Sequence, residues 1–450
     1  MVVKSFNNKK LLKLGELDTQ YQTKIQLISR QIPVENRDGN ATYILDFLRY
    51  LHQAGYKIEY TFLTSSPNGR IPWYIIPSTI AALANVSVRD NLRIGRLLLK
   101  FKLLDWLIPF IWLTYMWLPE SLKNIYRSGK DKQQKTTYSP QSWDRLATAE
   151  EVTFASSRFA KFKPDVVIAN YAFVGNVLES PALNKTVLKA ILTHDVRHQR
   201  TAHFKNLGVS ARESDWSREK ETIQLRKAQV LLAIQEEDVR VFQEMVPECE
   251  VINMPMSAVY HTHIAKQVPG RCLFVGSSAD HNIYGLQWFL KNVWPIVLRS
   301  VPHCSLHVCG TVCNGIEKTF PNVRFLGRVD DLQSEYSSTE VCLVPLIVGS
   351  GLKIKLVEAL SQGRACVSTS VGIQGLSEIA GSAVLVADTT EDFAAAIHML
   401  LTNSEKRQYM EEQAHKYVTE KLSPKAAYQP FVDRIEQHLQ QVVGRTTIAR

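Results

Sequence analysis

The residues best placed to do chemistry lie in one stretch, 341–376, VCLVPLIVGSGLKIKLVEALSQGRACVSTSVGIQGL. An apolar strand, Val341–Pro345, is followed by a glycine turn and then by a predicted helix that carries Lys353, Lys355 and Glu358. Glycines allow a close approach of the backbone, a helix N-terminus offers free N–H groups to a pyrophosphate, and lysine adds positive charge. A carboxylate one turn further along can accept hydrogen bonds from ribose hydroxyls. The stretch therefore predicts a site for a nucleotide-activated sugar.

The two lysines of this stretch are not equivalent. Lys353 and Lys355 are two positions apart, so their side chains point in different directions on a helix, and we favour Lys355 for the phosphates. The chain contains no Asp-x-Asp triplet. This favours neutralisation of phosphate charge by lysine and the helix dipole, without a metal ion.

A second set of polar residues follows predicted strands of the N-terminal half. His194 and Asp195 come directly after the predicted strand Val187–Thr193. Because open α/β sheets bind ligands at the carboxyl ends of their strands, we expect His194 to open into a cleft. There it would hydrogen-bond the donor sugar or position the acceptor; the alternative is a histidine that only fixes its loop. The nearby cations expected to contact phosphates of donor or acceptor are Arg197, His198 and Arg200.

A polar loop after the first predicted strand, Lys24–Ile32, lies on the same side. It contains Asp38, Gly39 and Asn40, and a predicted helix, Ala41–Ala54, follows. We expect these three residues, with Asp195 and Arg197, on the acceptor side of the cleft.

Metal binding is less well supported by the pattern. The dense group of potential ligands is His303, Cys304, His307, Cys309 and Cys313. If 304–309 is a strand, Cys304 and Cys309 point to opposite faces, so we expect buried structural cysteines there. His261 and His263 lack further ligands nearby. We expect neither a metal nor a bound cofactor, the nucleotide-sugar being a substrate.

Apolar strands and amphipathic helices alternate along most of the chain, which predicts an α/β fold with parallel sheets covered on both faces. A chain of 450 residues is too long for one ordinary core, so we expect two domains of about 200 residues each. We place them at 23–254 and 271–422, with a tail at 1–22, a linker at 255–270 and a final helix and tail at 423–450. Among the helices we expect Asp215–Lys227, with Asp215 as N-cap, and about Tyr284–Leu298.

Residues 67–145 interrupt this alternation, and we expect a helical excursion from the first domain. One interpretation is a helical pair packed on the sheet with solvated charges; the other is an acceptor-binding or membrane-surface element, since tryptophans accompany lysines and arginines at 85–135. The segment Leu97–Leu118 comes closest to a membrane span. Lys100, Lys102, Asp105 and Pro109 interrupt it, and a span needs about 20 apolar residues, so we do not predict one.

Charge and cysteine content limit the class of protein. The net charge of +10 belongs entirely to residues 1–267, because 268–450 hold as many Lys and Arg as Asp and Glu. This half is expected to face an anionic acceptor or a membrane surface; without an RNA-binding signature or zinc-finger spacing we expect no nucleic acid. An odd number of cysteines, seven, confined to 249–366 does not resemble a disulfide framework and predicts a reduced, cytoplasmic protein.

Several strings occur in an order and spacing that resemble glycosyltransferase family 4, whose enzymes have the GT-B fold. They are FVGS at 274–277, Asn282, FLGRVDDL at 325–332, VPLIVGSGLKIKLVEALSQG at 344–363 and VSTSVGIQG at 367–375, with THDVRHQR at 193–200 and LLAIQEEDVRVF at 231–242. The resemblance covers about 160–420 and is strongest over 271–376. It implies two Rossmann-like domains that face a central cleft, with a C-terminal helix that crosses back to the first domain.

The resemblance also implies roles for individual residues. Lys355 would meet the donor phosphates, aided by Arg328, and Glu358 would accept from the ribose hydroxyls. Arg328 and Val329 would lie near the base. The turn that would cover the pyrophosphate and donor sugar is Ser350, Gly351, Leu352 and Lys353, and Gly276, Ser277 and Asn282 would lie against the phosphates from the other side.

One position departs from the common pattern of the family. Many relatives have two glutamates eight positions apart, but here Ser350 stands eight positions before Glu358, in a GSG variant that a subset of relatives shares. Ser350 can hydrogen-bond a sugar hydroxyl but carries no charge, so this position does not indicate the sugar.

The sequence therefore predicts a retaining, metal-independent glycosyltransferase for cell-envelope, exopolysaccharide or glycolipid synthesis. We expect it in the cytoplasm. An anionic or lipid-linked acceptor and a peripheral contact with the inner face of the membrane through 85–135 are one of the two interpretations that the sequence leaves open. The alternatives are an epimerase or phosphorylase of the same fold, or a non-catalytic protein that binds a membrane surface.

Overall fold

The computed structural model describes residues 22–35, 39–64, 71–101, 106, 143–206, 215–261, 266–317, 319–349 and 352–448. Asp38, Ser350, Gly351 and most of the segment 102–142 lie outside the described residues.

The N-terminal half is built on a seven-stranded sheet with the order β10-β9-β8-β7-β1-β2-β4, in which all neighbouring strands are parallel. Its strands are β1 Lys24–Ser29, β2 Lys57–Phe62, β4 Asn85–Val88, β7 Val166–Asn170, β8 Leu188–Leu192, β9 Val230–Ala233 and β10 Glu250–Asn253; β3 Trp73–Ile75, β5 Asn91–Ile94 and β6 Leu97–Lys100 form a separate sheet. The helices of this half are α1 Gly39–Gln53, α2 Ser78–Leu83, α3 Ala149–Phe162, α4 Arg197–Asn206, α5 Arg218–Leu225 and α6 Glu236–Met245.

The C-terminal half has a six-stranded sheet with the order β13-β12-β11-β14-β15-β16, again parallel throughout. Its strands are β11 Arg271–Val275, β12 Ser305–Cys309, β13 Val323–Gly327, β14 Val341–Val344, β15 Ala365–Ser368 and β16 Val384–Val386. Its helices are α7 Asp280–Trp288, α8 Trp294–Ser300, α9 Gln333–Ser337, α10 Ile354–Ser361, α11 Thr390–Thr402 and α12 Ser404–Tyr417. Runs such as VCLV are apolar at every position because both faces of the sheet are covered.

The last helix, α13 Pro424–Ile448, packs against the N-terminal half, as expected. Tyr428, Phe431 and Ile435 are buried in the same apolar core as Phe47 of α1. The rings of Phe47 and Tyr428 lie 5.3 Å apart. Burial of these large side chains ties the end of the chain to the first sheet.

The expectation of a helical excursion at 67–145 is wrong for residues 73–100. Strands β3, β6 and β5 form a three-stranded antiparallel sheet, β4 joins the large sheet, and α2 is a helix of only six residues. The start of the apolar segment Leu97–Leu118 is therefore strand β6, paired on both sides. Within the described ranges, no helix is long and apolar enough to cross a membrane.

Two helix predictions need correction. The helix expected at Asp215–Lys227 begins at Arg218, and Ser217 is its N-cap because its hydroxyl accepts from the Lys220 N–H at 3.1 Å. Asp215 instead pairs with Lys205 at 2.7 Å. The helix expected at 284–298 starts earlier, at Asp280, and a π-helical turn, Phe289–Val293, separates α7 from α8.

All seven cysteines are buried and free. Cys304 lies in the core on one side of the C-terminal sheet and Cys309 in the core on the other, as the expected alternation requires. His307 hydrogen-bonds Glu335 at 2.6 Å. The described residues hold no cluster of His, Cys, Asp or Glu with the geometry of a metal site.

Candidate active site

The carboxyl end of β11 comes unusually close to the next loop of its sheet. A β-carbon on Gly310 would lie 2.1 Å from the carbonyl oxygen of Gly276, and Gly310 has a φ of 102°. A β-carbon on Gly276 would lie 2.8 Å from the ring of Phe274. Glycine is therefore required at Gly310, and a side chain at Gly276 would have to displace the Phe274 ring.

Lys355 projects from the first turn of α10 to this edge. Its ammonium donates to the side-chain oxygen of Asn282, in the first turn of α7, and lies 4.8 Å from the centre of the Phe274 ring. Asn282 in turn donates to the carbonyl and hydroxyl oxygens of Ser277, both at 3.1 Å. Two helix N-termini and a lysine therefore meet at the end of β11, an arrangement suited to an anion.

Burial lowers the pKa of Lys355 to about 7, with Lys353 adding to the shift and Glu358 opposing it. Glu358 lies one turn along α10, and burial raises its pKa, opposed by Lys355 and by a hydrogen bond from Tyr336. The lysine is thus close to deprotonation at neutral pH, and a bound anion would favour its charged form.

Lys353 is not on the helix, contrary to expectation. It is the N-cap residue of α10, in an extended conformation, and its ammonium donates to Gln374 at 3.3 Å. Burial, followed by the charge of Arg200, lowers the pKa of Lys353 to about 8. Lys353 and Lys355 therefore both reach the site, from two different backbone conformations.

His281 was missed by the sequence reasoning. Its pKa is lowered to about 4. Burial is the largest cause, and the charges of Lys355, Lys353 and Arg200 follow in that order. Arg200 belongs to α4 of the N-terminal half, so cations from both halves act on the same imidazole. The position of His281 beside Asn282 in FVGSSADHN was the only available signal.

The residues expected near the base lie at the end of β13. Arg328 is exposed, and the Val329 side chain is partly buried against the core of the C-terminal half. Leu352, expected in the turn over the pyrophosphate, packs against the apolar cores of both halves.

His194 is held in a strained position on the opposite side of the cleft. It has a φ of 62°, its Nε2 bonds the side-chain oxygen of Asn170 at 2.6 Å, and its ring lies 4.2 Å from that of Tyr171. Tyr171 also has a positive φ, 77°. Burial and the charge of Arg197 lower the pKa of His194 to about 3, so the imidazole is neutral at neutral pH. Such strain at two adjacent strand ends is typical of functional sites.

The cations after His194 divide into two kinds. Arg197 is fully buried, pairs with Asp144 and with Asp195 at 3.1 Å, and lies 5.0 Å from the Trp143 ring. The structure thus places Arg197 in the interior, where it fixes the loop. Arg200 is partly exposed and lies 3.6 Å from Asp195. Its charge lowers the pKa of Lys353 in the C-terminal half. His198 hydrogen-bonds Glu221 at 2.7 Å.

Asn40 connects the first loop to His194. Its amide donates to Gln31 at 2.9 Å and to the Tyr171 hydroxyl at 3.1 Å, while its own side-chain oxygen is buried without a hydrogen-bond partner. Asn40 is therefore linked to His194 through Tyr171, and Asp195 directly follows His194 in the chain. Gly39 packs against Ile354 of the C-terminal half.

The two halves touch at the rim of the cleft. The Ser377 hydroxyl lies 3.3 Å from a carboxylate oxygen of Glu237, and a β-carbon on Gly375 would lie 2.5 Å from Gln235 Oε1. These contacts place the GIQG loop, 372–375, directly against the start of α6.

Comparison with known proteins agrees with this architecture. Residues 269–403 match the family model "Glycosyl transferases group 1". An uncharacterized 44.6 kDa protein in the cps region of Klebsiella pneumoniae is 28% identical over 137 residues, 28% of this chain. The match spans only about a third (35%) of that relative's length.

Solved structures resemble nearly the whole chain. Sucrose-phosphate synthase from Thermosynechococcus elongatus has a TM-score of 0.63 at 14% identity, covering 93% of this chain and 100% of that one. A mutant of S. aureus TarM, in complex with fondaparinux, alpha-GlcNAc-glycerol and UDP, has a TM-score of 0.60 at 10% identity, covering 92% and 100%. The predicted GT-B fold is confirmed, and residues 269–403 within it resemble a glycosyltransferase domain.

Proposed function

We propose that the protein transfers a sugar from a nucleoside-diphosphate donor to an acceptor hydroxyl, with retention at the anomeric carbon and without a metal ion. The observation that carries the proposal is the convergence of cations at the end of β11. Lys353 and Lys355 from one half and Arg200 from the other act on the single imidazole of His281. So much positive charge around one buried group favours a multiply charged anion, and a diphosphate fits it.

The donor would bind along the carboxyl edge of the C-terminal sheet. Lys355 and Lys353 would meet the diphosphate, with the bare backbone of Gly276, the side chains of Ser277 and Asn282, and the N–H groups of α10 around it. Glu358 would accept from the ribose hydroxyls, and Arg328 with the Val329 backbone would hold the base. By the sequence prediction, Ser350, Gly351 and Leu352 complete the cover.

The sugar would lie between this edge and His194. Because its pKa is lowered to about 3, His194 would act as a neutral hydrogen-bonding group towards the donor sugar or the acceptor. Gly39, Asn40 and Asp195, with Asp38 by sequence, would line the acceptor side. In the reaction the bond from the anomeric carbon to the diphosphate oxygen would break, a bond to the acceptor oxygen would form on the same face, and the proton of the acceptor hydroxyl would pass to the leaving diphosphate. Lys355 and Lys353 would stabilise the charge on the leaving diphosphate.

The acceptor and the pathway are proposed more coarsely. The cps-region relative and the resemblance to family 4 favour a cell-surface polysaccharide or glycolipid, and the basic N-terminal half favours an anionic or lipid-linked acceptor. Because UDP is named in the TarM complex, UDP is the first nucleotide to test.

The test is a thermal-shift screen of nucleoside diphosphates, followed by product analysis by NMR. We expect one nucleoside diphosphate to raise the melting temperature without added metal and in the presence of EDTA. Lys355→Ala would abolish the shift, and Lys291→Ala, which removes an exposed lysine of the same half, would not. Equal shifts in Lys355→Ala and wild type would overturn the site assignment. An inverted anomeric centre in the product would overturn retention.

A further inference from the structure

The small sheet β3-β6-β5 presents an apolar face to solvent. Direct cross-strand pairs place six residues on one face in two rows: Trp73, Leu99 and Leu92, and Ile75, Leu97 and Ile94. Four of them are exposed, Ile75 at 61%, Ile94 at 58%, Trp73 at 48% and Leu92 at 46%. We call these six residues the apolar face.

The other face of the same sheet already serves the core. Tyr74 and Leu98 point to that side and pack in the apolar core around β1 and β2, where Leu98 is 1% exposed. A sheet covered on one side normally places polar residues on the other. Here the outer side is apolar at all six positions, and an exposed apolar patch of this kind marks an interaction surface.

The surroundings of the apolar face indicate what it contacts. Trp106 lies beside Trp73, with ring centres 6.3 Å apart, and Phe101 is 64% exposed. Paired tryptophans with a polar N–H are typical of the boundary between lipid and water. Arg96, which is exposed, lies in the turn between β5 and β6 close to Ile94. An apolar surface edged by arginine and tryptophan complements an anionic lipid surface.

We propose that the apolar face docks on an anionic lipid bilayer, with Trp73, Ile75, Leu92 and Ile94 entering the interface and Arg96 meeting lipid phosphates. The proposed membrane contact is thus a surface built from 73–99, which only partly overlaps the segment 85–135 considered from the sequence. All excess positive charge of the chain lies in this half, which adds long-range attraction to the same surface.

The apolar face lies where a membrane would bring a lipid-linked acceptor, and this part of the inference rests on the proposed function. β5 begins directly after Arg89 and Asp90, which follow the carboxyl end of β4, and the Phe101 N–H bonds the Asp90 carbonyl at 3.2 Å. The apolar face therefore adjoins the edge of the N-terminal sheet at which the acceptor would enter.

The experiment is flotation of the whole protein with vesicles of phosphatidylcholine and phosphatidylglycerol, compared with phosphatidylcholine alone. We expect the wild type to float only with the anionic vesicles. The double variant Ile75→Ser/Ile94→Ser is expected to lose about tenfold in vesicle affinity, since it replaces two apolar side chains that would be partly buried in the bilayer. The matched control, Ile223→Ser/Met399→Ser, changes two equally exposed side chains elsewhere and is expected to float like the wild type.

Each remaining outcome decides the proposal. Unchanged flotation of Ile75→Ser/Ile94→Ser would overturn it. If the melting temperature of that variant also fell strongly, the face would be covered by another part of the chain. Loss of a wild-type dimer in the double variant, without any flotation of the wild type, would show a self-association surface instead. Arg96→Gln gives an independent readout and is expected to weaken flotation at low salt.

The thermal shift with nucleoside diphosphate separates the two proposals. A protein that floats but shows no shift with any nucleoside diphosphate would contradict the proposed donor and leave the docking intact. A protein that binds the nucleotide and does not float would contradict the docking alone.

Discussion

Gly39 and Ile354 meet across the cleft so closely that a side chain at position 39 would have to displace the Ile354 side chain. A β-carbon on Gly39 would lie 1.5 Å from Ile354 Cδ1. Gly39 is the first residue of α1 in the N-terminal half, and Ile354 is the first residue of α10, directly before Lys355. The contact therefore reports how near the donor helix comes to the acceptor side.

We expect Gly39→Ala to hold the halves apart and to lower kcat/KM for donor turnover about tenfold, because closure positions the reactants and excludes water. The side chain of Ile354 is the obstacle, so the second change Ile354→Ala is expected to restore much of the loss. The measurement is nucleoside diphosphate release, with melting temperature as a control, since alanine is tolerated well in a helix. If Gly39→Ala alone left kcat/KM unchanged, the contact would not belong to the active conformation.

The lowered pKa of Lys355 predicts a pH dependence of nucleotide binding. This pKa is lowered to about 7, and a bound diphosphate would favour the charged form and raise it. The added affinity is therefore fully present below about pH 7 and is lost as the pH rises through the higher pKa of the complex. Calorimetry of nucleoside diphosphate binding in two buffers of different ionisation enthalpy should show proton uptake above neutral pH.

Lys355→Arg is the control for this pH dependence. A guanidinium stays protonated in proteins, so the variant should bind the nucleotide with a flatter alkaline limb. Persistence of the full wild-type proton uptake in Lys355→Arg would assign the titration to another group, with Lys353 first, since its pKa is lowered to about 8.

The neutral state of His194 leads to a different expectation. His194→Ala should lower kcat/KM about tenfold, the effect of one hydrogen bond to the reacting complex. Because the pKa of His194 is lowered to about 3, its removal should not change the shape of the pH profile of kcat/KM between about pH 5 and 8. His398→Ala, at an exposed histidine of α11, is the matched control. A wild-type limb near pH 6 that disappears in His194→Ala would show that His194 titrates during catalysis.

Buried parallel strands were predictable because each is a short apolar run between turn residues. β8 Leu188–Leu192 lies within the predicted strand Val187–Thr193, and β14 Val341–Val344 within the predicted strand Val341–Pro345. The antiparallel sheet β3-β6-β5 was not predicted, because its strands have only three or four residues each, too few for an alternation to be recognised.

The site was predictable where the chemistry is local in sequence. Lys355 and Glu358 share one turn of α10, and Gly276, Ser277 and Asn282 share one loop, so a motif could indicate them. The convergence of Arg200 with Lys353 on His281 joins residues from two halves of the chain, and no spacing encodes it. The interior position of Arg197 depends likewise on Asp144, which is 53 residues away.

Glu151 makes the N-terminal half sensitive to acid. Its carboxylate is 1% exposed, pairs with Arg30 at 2.8 Å and Arg145 at 3.0 Å, and accepts from the Thr148 N–H at 2.8 Å. Although burial opposes ionisation, these partners lower the pKa of Glu151 to about 2. The stabilisation, about 3 kcal/mol, is fully present above the ordinary pKa of about 4.5 and is lost as the pH falls through about 2.

Glu151→Gln isolates the charge, because glutamine can still complete the capping box of α3 with Thr148. We expect it to lower the free energy of unfolding of this half by about 3 kcal/mol near pH 7, since two guanidinium groups lose their carboxylate, and by far less near pH 2. Hydrogen exchange of the β1 and β7 amides at the two pH values measures this difference. Glu150→Gln removes the neighbouring carboxylate, which is 83% exposed and pairs with Arg89 at 3.2 Å, and should cost under about 1 kcal/mol. Equal losses for the two variants near pH 7 would show that the buried cluster adds no stability beyond that of a surface pair.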